Sequence, residues 1–345
     1  MYPHQTQAKQ NYSNGHSGQP VAPRVTSNAR PGSAPAGLQS DFIWMNGELV
    51  PFQQATVHFL NPTLHYGPGV FEGIRCYATQ NGPAVFRLRE HLERFLASIR
   101  VLGFNDVGYT VEQLQMAVHR VVHANQFTAC YIRPLCYMEG AMGLNLDTYR
   151  PAVAIAAWKW GALMGSESLE AGVRMMVSSF TRMHPNASMT KAKIGGQYVN
   201  SILAKTMAAR AGFDEAIMLD PEGYVAECTS ENLFLVRDGV IYAPGKATVL
   251  EGITRDTLIT LAHDAGYTVV EDRLSRDQLY IADEIFVCGT AAEVVPVREV
   301  DYRRIGNGKM GPITHQLQTS YFETVRGQGS RSVEWLDYVM MEPLY

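Results

Sequence analysis

The 345-residue sequence lacks the features that several large protein classes need. Its five cysteines are an odd number without a CxxC pair, which argues against a disulfide framework or a structural zinc site and favours a reducing compartment. No apolar run approaches the ~18 residues of a membrane span. The 29 Lys and Arg against 33 Asp and Glu give no basic excess for nucleic acid. We expect a soluble, cytoplasmic protein with neither a nucleic-acid nor a membrane partner.

Acidic residues are missing from the first 40 positions, which are rich in Gln, Asn, Ser, Gly and Pro. Such a segment has too little apolar surface to offset its ordering entropy, so residues 1–40 are predicted to be a disordered tail. An organelle transit peptide is the alternative, because such peptides are also rich in Ser and poor in acid. The missing amphipathic periodicity disfavours it.

Glycine-rich nucleotide motifs are also missing, since neither GxGxxG nor GxxxxGK[ST] occurs. From Asp41 onward the pattern predicts helices alternating with strands that are mostly connected as hairpins, for example around Asn46-Gly47. A helix is expected from Leu88 to Gly103 and another over 111–124, with Thr110 and Gln113 in capping-box spacing. The pattern favours a mixed α/β protein with domains at 41–166 and 174–345 and an interdomain loop at 167–173.

A lysine stands before a Gly-Gly pair at Lys193-Ile194-Gly195-Gly196, with Tyr198 at the start of a predicted helix. Glycines allow a planar group to approach the backbone closely, which suits a lysine that bonds covalently to a carbonyl cofactor. On this segment alone, a surface pair formed by Lys191 and Lys193 remains the favoured interpretation.

Two segments could bind anions through backbone N–H groups. Gly252-Ile253-Thr254 opens a predicted helix, where the first N–H groups are unpaired. Gly289-Thr290-Ala291-Ala292 follows a predicted strand and could form a nest. Taken singly, each is better interpreted as an ordinary helix start or strand exit.

Charged residues near strand ends give further candidates. Tyr131 and Arg133 share one face of a strand and could clamp a carboxylate, although a solvent-exposed arginine fits equally well. Glu227 or Glu231 could keep a heterocyclic nitrogen protonated, although a solvated loop carboxylate is the default.

His119 and His123 have the i, i+4 spacing of two metal ligands on a helix. No third ligand or general-base Glu lies between them, so no metal site is expected.

Read in order, these segments resemble the branched-chain amino-acid aminotransferases, which are class IV (fold type IV) pyridoxal-phosphate enzymes. The resemblance extends from about Asp41 to the C-terminus and excludes the tail. It implies a small N-terminal α/β domain and a larger C-terminal domain with a mostly antiparallel, barrel-like core. The matching blocks are His65–Gly67, Val70–Arg75, Tyr131–Pro134, Lys193–Tyr198, Glu227, Glu231–Leu233, Gly252–Asp256 and Gly289–Glu293.

The resemblance implies a set of residues for pyridoxal 5′-phosphate. Lys193 would form the covalent link to the cofactor and carry the proton. Tyr198 would bond the 3-oxygen of the ring, and Glu227 its nitrogen. The phosphate would be bound by Arg94, the amides of Ile253 and Thr254, and Thr290.

The resemblance also implies substrate residues. Tyr131, with the amides of Thr290 and Ala291, would bind the α-carboxylate, and Arg133 would bind the distal carboxylate of glutamate. Further substrate-side residues would be Tyr66, Phe71, Arg75, Leu144, Trp160 and Leu163. Because Tyr66 and Leu144 reach in from the neighbouring subunit in this family, a homodimer or higher homo-oligomer is implied.

The implied reaction moves the amino group of leucine, isoleucine or valine to 2-oxoglutarate, giving a branched 2-oxo acid and glutamate, and runs in both directions. Leu163 departs from the family, which often has an aromatic residue there, so the sequence leaves open the preferred substrate. D-Amino-acid or (R)-amine transamination, aminodeoxychorismate lysis and a non-catalytic role are the alternatives. The biosynthetic or catabolic role, the oligomer beyond a dimer and the purpose of the tail also stay open.

Overall fold

The computed structural model describes residues 38, 40–161, 163–165 and 167–339. The predicted tail lies outside these residues except for positions 38 and 40. The described chain folds into two β-sheets with helices packed against them. Among the described residues, no helix combines the length and apolar character needed to cross a bilayer.

The first sheet is entirely antiparallel. Its strands are β1 Phe42–Met45, β2 Glu48–Pro51, β3 Val70–Phe71, β4 Ile74–Thr79, β5 Gly82–Phe86, β6 Cys130–Gly140, β7 Tyr149–Trp158 and β17 Leu336–Tyr338. They are arranged in the order β17-β5-β4-β6-β7-β1-β2, with β3 beside β6. The predicted hairpin is confirmed, because Asn46 and Gly47 both have positive φ and connect β1 to β2.

Two long amphipathic helices cover this sheet. The helices near it are α1 Pro62–Tyr66, α2 Leu88–Leu102 and α3 Val111–Ala124. Both predicted helices are confirmed: α2 ends before Gly103, and the Thr110 and Gln113 side chains form the capping box of α3. Their apolar faces pack on the strands as one buried cluster, which includes the fully buried Leu92 and Phe95.

The second sheet is mixed. Its strands are β8 Val173–Val177, β9 Glu215–Leu219, β10 Val225–Cys228, β11 Asn232–Arg237, β12 Val240–Pro244, β13 Val269–Asp272, β14 Glu284–Gly289, β15 Glu293–Val300 and β16 Arg303–Arg304. They are arranged in the order β10-β9-β8-β15-β14-β11-β12-β13, with β16 beside β15. The β8–β9, β8–β15 and β12–β13 pairs are parallel and the remaining pairs are antiparallel.

Further helices accompany the second half of the chain. They are α4 Ser168–Ala171, α5 Tyr198–Arg210, α6 Ile253–Asp264, α7 Arg276–Tyr280, α8 Pro312–Val325 and α9 Ser332–Trp335. Two of the long ones, α5 and α6, begin where the sequence predicts helix starts, at Tyr198 and after Gly252. Helix α5 starts at Tyr198 because a 3-10 turn over Gly195–Gln197 precedes it. The one-turn helix α4 lies in the segment 167–173, for which the sequence predicts a loop.

A buried apolar cluster joins the two sheets. Phe86 of β5 packs in T-shaped geometry on Tyr321 of α8 and on Trp335 of α9, while Phe234 and Phe286 of the second sheet stack 4.9 Å apart in the same cluster. Strand β17 returns to pair with β5. The division into domains at residues 167–173 therefore stays a prediction.

Candidate active site

A cavity of about 530 Å³ collects most of the predicted site residues. It contains the predicted cofactor residues together with part of the predicted substrate set. The predicted residues on its wall are Phe71, Arg94, Tyr131, Arg133, Trp160, Leu163, Lys193, Tyr198, Glu227, Ile253, Thr254, Thr290 and Ala291.

Of the two candidate lysines, Lys193 lines this cavity and Lys191 does not. The backbone N–H of Lys193 donates to Ser98 Oγ at 3.1 Å and its carbonyl accepts from the N–H of Phe71 at 3.1 Å, so two elements of the first half fix its position. Its Nζ lies 2.8 Å from the hydroxyl of Tyr198. Lys191 instead donates to the carbonyls of Lys246 and Val249.

Glu227 is a buried carboxylate that also lines the cavity. It accepts from Arg182 Nη2 at 2.5 Å, from Asn232 Nδ2 at 3.1 Å and from the N–H of Leu250 at 3.2 Å. Burial raises the pKa of Glu227, and Arg182 opposes that rise. Arg182 escaped sequence analysis because it lies in an irregular segment without periodicity or motif.

Glu231, the second candidate carboxylate, also reaches the wall. It accepts from Ser230 Oγ at 2.5 Å, and burial, followed by the nearby charge of Glu215, raises the pKa of Glu231 to about 7. Since Glu227 contacts the Arg182 guanidinium directly, it is the better candidate for an ionised partner of a protonated ring nitrogen.

The start of α6 forms an anion cradle at one end of the cavity. The N–H groups of Ile253 and Thr254 lie in the first turn, where a helix has no internal acceptor for them. The preceding Gly252 has no room for a side chain, because an added Cβ would lie 1.9 Å from Asn232 Oδ1. A phosphate group fits this backbone surface.

Arg94 flanks the cradle and is held from behind by a buried carboxylate. Its Nε and Nη2 donate to the two oxygens of Glu72 at 2.7 and 2.8 Å, and its Nη1 donates to the Glu251 carbonyl at 2.8 Å. His91 Nδ1 lies 2.9 Å from the same carboxylate. Burial alone would raise the pKa of Glu72, but Arg94 and His91 bring it well below its usual value. The family resemblance identifies Arg94, but no local signal in the sequence indicates Glu72 and His91, which orient it.

Tyr131 and Arg133 form a polar pair on the wall of the cavity. The Tyr131 hydroxyl accepts from Arg133 Nη2 at 3.2 Å, and an added Cβ at Gly73 would lie 1.9 Å from that hydroxyl. The Arg133 guanidinium lies 4.6 Å from the centre of the Phe71 ring. Its Nε is buried and has no hydrogen-bond partner among the described residues, so it can take up a carboxylate.

Three predicted substrate residues do not line this cavity. Arg75 is buried behind its wall and donates to backbone carbonyls instead. Tyr66 and Leu144 are 47% and 85% exposed on the surface. An arrangement in which they close the site of a second copy therefore stays a prediction.

Of the two histidines spaced like metal ligands, His119 lies beside strand β17. His119 is buried, and its Nε2 lies 2.9 Å from Oδ1 of Asp337 in β17, although neither ring nitrogen has a partner with hydrogen-bond geometry among the described residues. Among the described residues, no three His, Cys, Asp or Glu side chains cluster in a way that could hold a metal ion.

Comparison with known proteins gives the class. The family model "Amino-transferase class IV" matches residues 69–300. The branched-chain-amino-acid aminotransferase of Pseudomonas aeruginosa is 49% identical over 294 residues, which are 85% of this chain and 95% of that protein. The chain belongs to the class IV aminotransferases and is an enzyme of that class.

Solved structures agree with this assignment and with the predicted fold class. The branched-chain amino acid aminotransferase of Escherichia coli has a TM-score of 0.85 and 45% identity, covering 88% of this chain and all of that one. The T.th. branched-chain amino acid aminotransferase complexed with N-(5′-phosphopyridoxyl)-L-glutamate has a TM-score of 0.84 and 48% identity, with the same coverage of both chains. The mixed α/β fold type IV architecture expected from the sequence is thereby confirmed.

Proposed function

We propose that this enzyme transfers the amino group of leucine, isoleucine or valine to 2-oxoglutarate, reversibly, with pyridoxal 5′-phosphate as cofactor. The observation that carries the proposal is a single apolar-walled cavity with an amine at one point, Lys193, and a partly unpartnered guanidinium at another, Arg133. The relatives named above support the same reaction.

The cavity fits the cofactor at three places. Its anion cradle before α6 suits the phosphate, with Arg94 supplying a positive charge. Glu227 suits a protonated ring nitrogen. The Tyr198 hydroxyl, 2.8 Å from Lys193 Nζ, suits the 3-oxygen of the ring. When bound, the cofactor would supply an aldehyde carbon, which takes up the amino group as its carbonyl oxygen leaves as water, and a ring that accepts the electron pair left at Cα.

The residues of this chain then have distinct tasks. Lys193 Nζ provides the amine that holds the cofactor and moves the proton at the substrate Cα, with Tyr198 fixing its direction. Glu227 keeps the ring nitrogen charged, because the Arg182 guanidinium favours the ionised form of its carboxylate. The Tyr131 hydroxyl and the Thr290–Ala292 backbone bind the α-carboxylate.

One pocket has to accept an apolar side chain in one half-reaction and a second carboxylate in the other. Phe71, Trp160 and Leu163 supply apolar walls, while Arg133 stands among aromatic rings with its Nε available. The guanidinium can pack its flat face against the rings when leucine is bound and donate to a carboxylate when glutamate is bound.

We further propose a homodimer as the functional unit. A set of large apolar side chains is exposed, with Phe59 74% and Leu144 85% accessible. A second copy of this chain is the occupant that the family resemblance implies, with Tyr66 and Leu144 of the partner subunit closing each pocket. The other exposed members are Leu60, Leu64, Val199, Ile202 and Leu203.

Hybrid dimers test the shared site. One protomer carries Lys193→Ala and the other carries Tyr66→Ala with Leu144→Asp, so one site of the hybrid has both defects and the other has neither. We expect the hybrid to recover about half of the wild-type activity, since one of two sites is intact. Activity no greater than half that of the Tyr66→Ala/Leu144→Asp homodimer would contradict a site built from two subunits.

The reaction itself is tested with the purified holoenzyme. L-Leucine and L-glutamate should each change the absorbance of the bound cofactor, and each 2-oxo acid should reverse the change. D-Alanine and (R)-1-phenylethylamine are the controls for the alternative specificities within the class. A response to these and not to L-leucine would overturn the substrate assignment.

The proposed location is the cytoplasm. All five cysteines are free and buried, which is typical of a protein that folds in a reducing compartment. Fractionation of cells that express the full chain, with an antibody against it, tests this location.

A further inference from the structure

Arg75 lies behind the turn that carries the proposed α-carboxylate site. Its Nε donates to the Thr290 carbonyl at 2.9 Å, and its Nη2 donates to the carbonyls of Ala291 and Gly161 at 2.9 and 2.7 Å. The residue is only 9% exposed and does not line the cavity. Arg75, a residue of the first sheet, therefore holds the backbone of two loops, the turn at Thr290 and Ala291 and the loop at Gly161.

These contacts determine where the turn's N–H groups point. In a planar trans peptide the C=O of one residue and the N–H of the next point in opposite directions. Since the Thr290 carbonyl points to Arg75, the N–H of Ala291 points away from it, and the Ala291 carbonyl orients the N–H of Ala292 in the same way. No described residue accepts a hydrogen bond from either N–H group.

A second group of side chains supports Arg75. Glu293, which follows the turn, has a φ of +64°, and its Oε1 lies 3.8 Å from Arg75 Nη1. The same oxygen accepts from the Tyr77 hydroxyl at 3.0 Å, and that hydroxyl lies 3.2 Å from the hydroxyl of Tyr321. A left-handed conformation is unfavourable for Glu, so these contacts compensate for local strain next to the site.

We propose that Arg75 is a positioning residue that aims the backbone N–H groups of the 290–292 turn at the substrate α-carboxylate. This inference rests on the proposed function, and it replaces the direct substrate contact that the sequence predicted for Arg75. Arg75 also connects the turn to Gly161, next to the pocket residue Trp160. Because Leu163 N–H donates to the Ala291 carbonyl at 3.2 Å, the carboxylate site and the side-chain pocket share one support.

The chemistry of the arginine side chain is specific to this task. A guanidinium has five donors in a planar fork and can bond three carbonyls at fixed directions. A lysine ammonium is a point charge that cannot reproduce the fork, and a methionine fills the space without donating. Arg75→Met and Arg75→Lys therefore separate packing from orientation.

The experiment uses holoenzyme and three ligands derived from leucine. 4-Methylpentanoate has the carboxylate without the amino group, 3-methylbutylamine has the amino group without the carboxylate, and L-leucine has both. The affinity for the acid is measured by its effect on cofactor absorbance, and the two amines are compared in single-turnover reactions. The unliganded absorbance of each variant checks that the cofactor site is intact.

In Arg75→Met we expect the Kd for 4-methylpentanoate to rise about tenfold or more, as when a hydrogen bond to a charged group is lost. The reaction with 3-methylbutylamine should stay within about threefold of wild type, because it does not use the turn. The Kd of Arg75→Lys for the acid should lie between those of the wild type and Arg75→Met. Arg298→Met is the matched control, since Arg298 also donates to a backbone carbonyl, that of Gly172, away from the cavity.

An unchanged Kd for the acid, or an equal loss for both amines, would overturn the positioning role. If Arg75→Met gives no holoenzyme, Tyr77→Phe removes only the hydroxyl that supports Glu293, and its Kd for the acid should rise severalfold; an unchanged value there overturns the proposal. Failure of the proposed function has a different signature, because wild-type enzyme would then not react with L-leucine at all.

Discussion

The two ends of the cavity are built in different ways. At the proposed phosphate end, Arg94 bonds to the fully buried Glu72, and the cradle is the first turn of a long helix. At the proposed substrate mouth, Trp160 and Leu163 lie on a loop and are more than one-third exposed. The cofactor end is organised within one chain, whereas the mouth gains its final shape from loops and, as proposed, from a second copy.

This difference predicts how substitutions should act. A change at the buried end leaves a charge without its partner in a region that cannot relax, so both stability and cofactor affinity should suffer. A change at the exposed mouth can be accommodated by movement of the loop or by water. We expect it to alter substrate ranking and leave folding intact.

The largest effect is expected for Lys193→Ala. Losing the amine that touches Tyr198 should reduce the rate by about three orders of magnitude or more and remove the absorption of lysine-bound cofactor. Lys191→Ala is the matched control and should retain most of the activity, because among the described residues Lys191 bonds to the carbonyls of Lys246 and Val249 and to Glu251, away from the cavity. An inactive Lys191→Ala enzyme together with an active Lys193→Ala enzyme would contradict the assignment of Lys193 as the reacting lysine.

Glu72→Gln should have the next largest effect. Breaking this buried ion pair should cost about 3–5 kcal/mol of unfolding free energy and weaken cofactor binding, because Arg94 loses its support. Chemical denaturation and cofactor titration measure the two losses, and Glu93→Gln, at an exposed position on the same helix as Arg94, is the control.

The same ion pair should respond to pH. The folded-state pKa of Glu72 lies below its unfolded value, so its stabilisation is present above the pKa of about 4.3 of an unfolded Glu. It is lost progressively as the pH falls toward the folded pKa. The stability difference between wild type and Glu72→Gln should therefore shrink below about pH 4. A difference that grows in acid would contradict this sign.

Arg133→Met should separate the two half-reactions. A buried charge-assisted contact is worth roughly 2–4 kcal/mol, so the KM for 2-oxoglutarate should rise far more than the KM for leucine. Steady-state kinetics with each substrate varied in turn provide the measurement. Equal increases for both substrates would show that Arg133 does not recognise the second carboxylate.

Leu163→Tyr should give the smallest effect, at the exposed mouth. Changes of one or two methylene volumes in an apolar pocket alter discrimination by about 1–3 kcal/mol at most. We expect the wild-type pocket to accept the 2-oxo acid of phenylalanine comparatively well. In Leu163→Tyr, kcat/KM for the 2-oxo acid of leucine, divided by kcat/KM for that of phenylalanine, should rise. An unchanged ratio would mean that a neighbouring side chain, and not Leu163, sets the pocket size.

The sequence predicts elements with local signals well and predicts poorly those that depend on distant contacts. Long periodic helices with local capping, such as α3 behind Thr110, were predicted to the residue because their signals lie within one segment. Short elements such as α1 and β17 were missed, because tertiary contacts and not local pattern stabilise them. Glu72 and Arg182 were missed for a related reason, since their partners, Arg94 and Glu227, are 22 and 45 positions away and only folding brings them together.

Arg75 is the clearest case of a right residue with a different task. Its motif drew attention to it, but a sequence motif does not distinguish a side chain that touches substrate from one that orients a backbone turn. The distinction needs the three carbonyl contacts, which involve loops 86 and more than 200 positions away. No local pattern encodes such distances.

Strand β17 has a consequence for how the chain folds during synthesis. It pairs with β5, which ends at Phe86, and the N–H of Val339, just after β17, donates to the Pro83 carbonyl. A ribosome therefore releases β5 about 250 residues before its neighbour exists, and the open edge is a template for wrong pairing in the meantime. The first sheet starts to form first and is completed last, which makes it the part of a nascent chain most in need of protection by a chaperone.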